Sequence, residues 1–406
     1  MSSTAEPADP VFALHAGGKL EVRGRVRLRT REDLARVYTP GFTRVAEAIA
    51  RDPAQVYRWS IKRNTVAIVT DGTAVSGLGD LGPLAALPVM EGKALLFKEF
   101  AGIDAVPICL GTTDVDEIVR VVKCIEPTFG GVMLEDIAAP RCFTIEERLR
   151  DELTVPVLHD DQHATAVAAA AALINAARYV GKELPALKVV IAGAGAAGTS
   201  TARLFMQLGV RNVVACDRQG VIHGERPDLA DAKRWFAEHT NPGRERGSLR
   251  DVLAGADVFV GFAGPGVLTP EDLRTMARDP IVFALANPHP EFLPAQVRSL
   301  VAVIATGRSD HPNQIDCGLC YPGILRGALD CGATRIDDGM KLAAARAIAA
   351  LVDPAAVARG QIVPDIFDDV APRVAQAVID AAVASGAARL PASCDPPPVT
   401  ARRPAG

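Results

Sequence analysis

The chain has 406 residues, of which 49% are hydrophobic and 23% are charged, and its formal net charge at pH 7 is -4. This composition is typical of a globular protein with two or three domains and a large core. The slightly negative charge gives no basic field that would attract the phosphates of a nucleic acid, so we expect no nucleic-acid partner.

The two ends of the chain predict little packed structure. The first dozen residues and the tail at residues 391–406 are rich in Pro, Ala and small polar residues, and we expect both to be loose. Near the start, VRGRVRLRTR (residues 22–31) alternates Arg with small or apolar residues. This alternation favours a solvated edge strand over a patch that binds nucleic acid or another anion.

The sequence also bounds where the protein works. No secretion signal or membrane-spanning run is predicted, because the longest apolar stretch is interrupted by Asn175 and is too short to cross a bilayer. The eight cysteines show no clustered framework, and Cys317 and Cys320 form a lone C-x-x-C without the further ligands that zinc requires. We therefore expect a cytoplasmic protein without membrane contacts.

Apolar runs alternate with helical patterns in the first part of the chain. The segments are TVAIVTDG, GPLAALPVMEGKALLFKEFAG, AVPICLG, DEIVRVVKCI and GGVMLEDI. Alternation of strands and helices is typical of an α/β architecture with a parallel sheet.

A second unit carries the pattern of a dinucleotide-binding turn. In ALKVVIAGAGAAGTSTARLFMQLGVRNVVACDRQG, a strand leads into a glycine-rich turn, a helix and a second strand that ends in an acid. Glycines allow a pyrophosphate to approach the backbone, the helix N-terminus binds it, and the acid meets the ribose hydroxyls. The predicted cofactor contacts are Gly193, Gly195, Ala196, Ala197, Gly198, Asp217 and Arg218. Asp217 would repel a 2′-phosphate and so favours NAD, whereas Arg218 could turn toward the phosphate of NADP.

Two further strands, in ADVFVGFAG and PIVFALANP, complete this unit before helical patterning returns. We predict an N-terminal α/β catalytic domain at 1–156, a Rossmann-type dinucleotide-binding domain at 157–310, and a helical segment at 311–390. The last segment is expected to pack back on the catalytic domain, with a flexible tail at 391–406.

The stretch HDDQHATA (residues 159–166) precedes an alanine-rich helix and allows two interpretations. Asp160 or Asp161 could simply cap the N-terminus of that helix. Alternatively, these acids could join Glu135 and Asp136, which follow a predicted strand, in a site for Mg²⁺ or Mn²⁺, since both cations prefer carboxylate oxygens. His159 and His163 would allow a softer metal, but no further ligand of that type is spaced to join them.

At this point the sequence resembles the malic enzymes in their short bacterial form. The resemblance rests on segments that occur in the family order between about residues 31 and 352. They are VYTPGF, VTDGTAVSGLGDLGPLAALPVMEGKALLFKEFAGIDAVPI, PTFGGVMLEDIAAPRCFTIEERLR, PVLHDDQHATA, GAGAAG, FALANP and LCYPGILRGALD. The resemblance implies oxidation and decarboxylation of L-malate to pyruvate and CO₂ with NAD or NADP and a divalent cation.

The resemblance also implies roles for individual residues. It assigns the metal to Glu135, Asp136 and Asp161. It assigns general base chemistry to Lys93 and general acid chemistry to Tyr38. Asn287 would provide an amide to the substrate, beside the cofactor. Lys62 aligns with a lysine near the substrate carboxylate that could reach across a dimer interface, and we expect a homodimer or a higher homo-oligomer.

The chain departs from the family in HPNQIDCGLCYPG, where short malic enzymes typically carry two consecutive Asn residues followed by an apolar residue. Here Asp316, Cys317 and Gly318 stand instead. If Asp316 faces the cleft, its charge opposes a dianionic substrate at a cost on the order of 4 kcal/mol. If it turns outward to a basic neighbour such as Arg308, malate chemistry is unaffected.

The sequence is therefore compatible with three functions. The first is a malic enzyme acting on malate. The second is a related dehydrogenase acting on a modified 2-hydroxy dicarboxylate, with Asp316 and Cys317 in the substrate site. The third, a non-catalytic dinucleotide sensor, is disfavoured because a sensor would not need Lys93, Tyr38 and three metal carboxylates together.

Overall fold

The computed structural model describes residues 9–75, 77–229 and 231–389, so the tail predicted at 391–406 lies outside the described residues. Two sheets organise the chain. The first sheet contains β1 (Thr65–Thr70), β2 (Asp104–Cys109), β3 (Gly131–Leu134) and β4 (Val157–His159). The second contains β5 (Lys188–Ala192), β6 (Asn212–Asp217), β7 (Gly220–Val221), β8 (Val258–Gly261), β9 (Ile281–Ala284) and β10 (Val303–Thr306).

Helices surround both sheets and dominate the C-terminal part of the described chain. Before the second sheet lie α1 (Pro10–His15), α2 (Arg31–Val37), α3 (Gly41–Arg51), α4 (Val56–Trp59), α5 (Gly82–Ala101), α6 (Val115–Ile125), α7 (Arg141–Glu152) and α8 (Thr165–Val180). The others are α9 (Ala196–Gln207), α10 (Asp231–His239), α11 (Leu249–Leu253), α12 (Pro294–Val297), α13 (Tyr321–Asp330), α14 (Asp338–Ala350), α15 (Pro354–Ala358) and α16 (Val370–Ala384).

The first sheet is parallel, with the order β2-β1-β3-β4. Its strands are short apolar runs, and β1 and β3 are fully buried because helices cover both faces. The predicted alternation of strands and helices is confirmed here. The strand β4 pairs with β3, so the sheet extends to residue 159 and the predicted boundary at 156 falls within it.

The second sheet has the order β10-β9-β8-β5-β6-β7, and its strands are parallel except for β7. The order reverses between β5 and β8, which is where doubly wound sheets bind their ligands. The predicted Rossmann-type fold is confirmed, including the strand that ends at Asp217.

One hydrophobic core connects the two sheets. The alanine-rich helix α8 is almost completely buried, and its small side chains let neighbouring elements pack closely around it. The same core includes residues of β1, β5 and the C-terminal helices. Contacts of α13 and α16 with α5 confirm that the C-terminal helices pack back on the first domain.

The N-terminal region departs from prediction. Residues 22–31 form no strand, so the predicted edge strand is wrong. The first sheet already ends at β2 and β4, and no described strand pairs with this segment, whose Val22 is fully exposed. Alternation of residue types cannot make a strand without a neighbour to accept its hydrogen bonds. Within the described residues, no helix combines the length and apolar character that crossing a membrane requires.

Candidate active site

In the glycine-rich turn after β5, two of the three glycines are required for steric reasons and the third leaves open space. Gly193 has a φ of 112°, and a Cβ there would lie 3.0 Å from the Phe262 carbonyl oxygen. A Cβ on Gly198 would lie 1.9 Å from the Gly193 carbonyl oxygen, so only glycine fits. A Cβ on Gly195 would meet nothing within 4 Å, which leaves its backbone open to a ligand. The helix α9 begins at Ala196, so its N-terminus faces this opening.

Asp217 ends β6, but its carboxylate is already engaged. Arg226 donates to both oxygens, at 2.9 and 3.1 Å, and Lys233 Nζ lies 2.6 Å from Oδ2. The backbone N–H of Gln219 also donates to Oδ1, at 2.9 Å. Burial would raise the pKa of Asp217, but the hydrogen bonds from Arg226 and Lys233 outweigh it and lower the pKa to about 2. Arg218 is exposed beside this cluster.

The HDDQHATA stretch forms a π-helical turn, Asp160–Ala164, between β4 and α8. Its cap is His159, whose Nδ1 accepts from the Gln162 N–H at 3.3 Å, so neither acid caps the turn. Turns of this kind are rare and occur frequently at functional sites. The turn directs its two acids to different partners, Asp160 to Lys93 and Asp161 to the backbone N–H of Asp136.

Glu135, Asp136 and Asp161 come together at the carboxyl ends of β3 and β4. Each offers a carboxylate oxygen, and these oxygens lie within 4.8 Å of one another. Glu135 and Asp136 are buried, and Glu135 Oε2 has no hydrogen-bond partner. Burial and the neighbouring Asp160 raise the pKa of Glu135 well above its ordinary value. Three carboxylates this close together, one of them with the unpartnered Glu135 Oε2, fit a hard divalent cation such as Mg²⁺ or Mn²⁺.

Lys93, on α5, joins this acidic group. Its Nζ lies 2.9 Å from Glu135 Oε1 and 2.5 Å from Asp160 Oδ2. Burial would lower the pKa of Lys93, but Asp160 and Glu135 outweigh it and hold the pKa well above its ordinary value. The sequence did not predict the contact of Asp160 with Lys93. The position of Asp160 directly beside Asp161 is the feature that could have indicated it. Tyr321 was also missed, and its ring lies 5.2 Å from the Lys93 ammonium.

A cleft of about 980 Å³ connects this acidic group with the dinucleotide turn. Its walls include Lys93, Asp161, Ala197 and Asn287, which come from both sheets and their helices. Cys317 also lines it, with Sγ 3.2 Å from Thr165 Oγ1. A substrate in this cleft would therefore contact the acids on one side and a nicotinamide on the other.

Asp316 follows neither predicted orientation completely. It lines the cleft, but Oδ1 accepts from the Gly318 N–H at 2.5 Å and Oδ2 accepts from Gln314 Nε2 at 2.7 Å. Arg308 pairs with Asp310 at 2.7 Å, so of the two orientations left open the outward one with Arg308 as partner is not observed. Burial raises the pKa of Asp316, while the Gly318 N–H opposes that rise.

Two predicted site residues, Tyr38 and Lys62, lie away from the acidic group. Tyr38 follows α2, is 66% exposed, and does not line the cleft. Lys62 is buried in a turn at Ile61–Asn64, where its Nζ donates to the carbonyl oxygens of Glu126 and Phe129 at 2.7 and 2.6 Å. A single chain therefore brings neither side chain to the acidic group.

Comparison with known proteins agrees with this arrangement. Residues 17–150 match the family model of the malic enzyme N-terminal domain, and residues 162–383 match that of the malic enzyme NAD binding domain. The NAD-dependent malic enzyme of Geobacillus stearothermophilus is 55% identical, over 94% of this chain and 80% of that protein. The bifunctional malic/malolactic enzyme of Bacillus subtilis is 52% identical, over 92% of each chain.

Solved structures show the same fold. The crystal structure of the NAD-dependent malic enzyme from Thermotoga maritima is 44% identical in sequence and superposes with a TM-score of 0.87. The match covers 91% of this chain and 99% of that one, so both sheets and the C-terminal helices are shared.

Proposed function

The chain belongs to the malic enzyme family, and we propose that it oxidises and decarboxylates L-malate to pyruvate and CO₂ with a nicotinamide dinucleotide. The observation that carries the proposal is the shared cleft. Its lining includes Lys93 and Asp161 together with Ala197 of the dinucleotide turn and Asn287, and this combination supports the proposal. A 2-hydroxy acid bound there lies between a group that can take a proton and a cofactor that can take a hydride.

Glu135, Asp136 and Asp161 are the residues that would hold Mg²⁺ or Mn²⁺. When bound, such a cation polarises the 2-oxygen of the substrate and stabilises the enolate that loss of CO₂ leaves. Asn287 also lines the cleft, so its amide is available to the substrate. Polar groups from several elements that converge on one cleft can orient the substrate before reaction.

Lys93 is the group placed to take the proton of the substrate hydroxyl. Its ammonium form is favoured while Glu135 and Asp160 both carry negative charge close to Nζ. Lys93 becomes a base once part of that charge is compensated. Asp160 keeps contact with Nζ and stabilises the ammonium after proton uptake, so the two residues act as a pair.

Tyr38 would protonate the enolate carbon, but it must do so in a second copy of the chain. The helices α2 and α3 bury none of their residues and expose Leu34, Val37, Phe42 and Val45 beside Tyr38. An apolar surface of this kind is typical of a protein interface. We propose a homodimer in which this surface is covered and each Tyr38 reaches the cleft of its partner.

Heterodimers test the role of Tyr38 directly. Tyr38→Phe and Lys93→Ala should each be inactive as homodimers, and co-expression of the two should restore activity. In the mixed dimer, the chain with intact Lys93 receives Tyr38 from its partner. Sedimentation should show a dimer throughout. A mixed dimer without activity would overturn the exchange of Tyr38, and normal turnover by Tyr38→Phe would overturn its role as the acid.

NAD is the proposed cofactor, because Asp217 stays anionic with a pKa of about 2 and would repel a 2′-phosphate. Arg226 and Lys233 reduce that repulsion by their contacts with the same carboxylate. We therefore expect kcat/KM to be higher with NAD than with NADP. A roughly tenfold preference for NADP would contradict the assignment.

The function itself is tested by following NAD and NADP reduction with L-malate in Mn²⁺, together with release of pyruvate and CO₂. Turnover that stops on chelation and returns with Mn²⁺ is the expected result. No reduced cofactor with L-malate, or full turnover after exhaustive chelation, would contradict it. The cytoplasmic location stays a prediction.

A second substrate class is suggested by Cys317 and Asp316, which line the cleft near Lys93. A thiol is a weaker hydrogen-bond donor than an amide, so a distal carboxylate is bound less firmly there. The same assay with 2-hydroxy acids that carry a bulkier or less anionic distal group separates this candidate from malate. A higher kcat/KM for such an acid would favour it.

A further inference from the structure

The buried carboxylate of Glu146 has no assigned role in the metal-binding acids, in proton transfer by Lys93 or in the dinucleotide turn. Glu146 lies on α7 and is 5% exposed. It is not in the group formed by Glu135, Asp136 and Asp161. A buried carboxylate without hydrogen bonds would be strongly unfavourable, so its partners indicate what it does.

Both partners of Glu146 lie in the π-helical turn, in the two residues that follow Asp161. Gln162 Nε2 donates to Oε2 at 2.9 Å, and His163 Nε2 lies 2.6 Å from Oε1. An ionised carboxylate only accepts hydrogen bonds, so His163 Nε2 is the donor. One rigid side chain thus holds two consecutive residues of the turn.

This contact matters because the turn sets the direction of Asp161. A π-helical turn is rare and needs its surroundings to maintain it. Gln162 is buried, and the Asp161 carboxylate extends to the Asp136 N–H at 2.9 Å. Rotation of the turn would break this contact and separate Asp161 from Glu135.

The helix α7 also begins five residues after Asp136. Glu146 therefore connects the segment after β3, which carries two of the acids, with the turn after β4, which carries the third. We propose that Glu146 is a positioning residue that holds Asp161 in register with Glu135 and Asp136 and thereby sets the affinity for the divalent cation. The proposal rests on the metal use in the proposed function.

The direct test is the Mn²⁺ dissociation constant of the full-length chain without substrate, measured from the electron paramagnetic resonance signal of free Mn²⁺. Loss of outer-shell partners typically weakens metal binding by roughly 10- to 100-fold, and we expect this for Glu146→Ala. Turnover at saturating Mn²⁺ should stay near that of the parent, with the half-saturating Mn²⁺ concentration raised.

Two variants separate positioning from general loosening. Ile145 directly precedes Glu146 on α7, and its buried side chain belongs to the neighbouring apolar core. Ile145→Ala should lower Tm without changing the Mn²⁺ dissociation constant. Glu146→Gln keeps the shape, can accept from Gln162, and can donate to His163 in its other tautomer, so it should restore most of the affinity. Equal weakening in Ile145→Ala, or in Glu146→Gln and Glu146→Ala, would overturn the proposal.

Gln162→Leu provides a milder variant if Glu146→Ala does not fold. It removes one of the two contacts and should weaken Mn²⁺ binding several-fold. If both Gln162→Leu and Glu146→Ala bound Mn²⁺ with an affinity within about twofold of the parent, the positioning role of Glu146 would be overturned. The metal site of the proposed function would not be affected by that result. A parent chain that binds no Mn²⁺ would instead overturn the metal site of the proposed function and this proposal with it.

Discussion

Acids stand at the carboxyl ends of strands in both sheets, yet their surroundings differ in charge. At the first sheet, Lys93 contacts Glu135 and Asp160, and Glu135 also lies close to Asp136 and Asp161. At the second sheet, Arg226 and Lys233 both contact the single acid Asp217.

The pKa shifts follow this balance. Burial and neighbouring acids raise the pKa of Glu135, whereas Arg226 and Lys233 lower that of Asp217 to about 2. The first group is short of positive charge and suits a bound cation. At the second, the acceptor positions of the carboxylate are already occupied. A strand-end acid therefore indicates a site, and its neighbours decide what the site can bind.

The largest effect should come from removing charge at the first sheet. Glu135→Gln or Asp161→Asn should lower kcat/KM for malate by on the order of 10³-fold, because metal stabilisation of the enolate is worth several kcal/mol. Steady-state kinetics in Mn²⁺ measures this. Glu152→Gln, at the surface end of α7, is the control and should keep normal activity. Activity in Glu135→Gln near that of the parent would remove the assigned ligand.

A smaller loss is expected when the cation within this acidic group is removed. Lys93→Ala should lower kcat by roughly 10²-fold or more, which is typical of losing a general base. Lys98→Ala is the matched control, since Lys98 lies on the same helix and pairs with Asp104 at the surface. If both variants had the same kcat, Lys93 would have no part in proton transfer.

The opposite pKa shifts predict opposite effects of pH on stability. Because the pKa of Glu135 is raised in the folded chain, its contribution is present below its unfolded value of 4.5 and is lost as pH rises through the folded value. Asp217 has a lowered pKa, so its contribution is present above 3.8 and is lost as pH falls toward about 2.

Thermal unfolding in chelator and in Mn²⁺ checks this difference. In chelator, Glu135→Gln should match or exceed the Tm of the parent at neutral pH, by on the order of a few degrees, whereas Asp217→Asn should lower Tm. Mn²⁺ should raise the Tm of the parent but not that of Glu135→Gln. A Glu135→Gln variant that is less stable than the parent in chelator would show that the acidic group is not under strain from its own charge.

The smallest effect concerns cofactor choice at the second sheet. Lys233→Ala leaves Arg226 as the one described cation on Asp217 Oδ2 and removes a cation that could meet a 2′-phosphate. The ratio of kcat/KM for NAD to that for NADP should rise by about fivefold, the equivalent of a partly exposed ion pair worth about 1 kcal/mol. Arg246→Ala, which removes an exposed partner of Glu225, should leave the ratio unchanged. A ratio that falls in Lys233→Ala would mean that Lys233 does not face the phosphate position.

The order of strands and helices and the position of the dinucleotide turn can be predicted from residues that are close together in the chain. Short, nearly continuous apolar runs are typical of the buried strands of a parallel sheet. Gly198 is required because any side chain at this position would collide with the backbone of Gly193. These features depend on neighbouring residues in the chain, so they can be predicted before the fold is known. The edge strand predicted at 22–31 failed because a strand also needs a partner from elsewhere.

Which charged groups come into contact depends on how distant parts of the chain pack together. Lys93 contacts Asp160 across 67 residues of sequence, and Arg226 and Lys233 reach Asp217 from 9 and 16 residues away. Asp316 binds the N–H of its own turn, which spacing could not reveal. Tyr38 lies outside the cleft of its own chain. Electrostatic interaction depends on distance in space and on burial, and neither quantity can be read from the separation of residues along the chain.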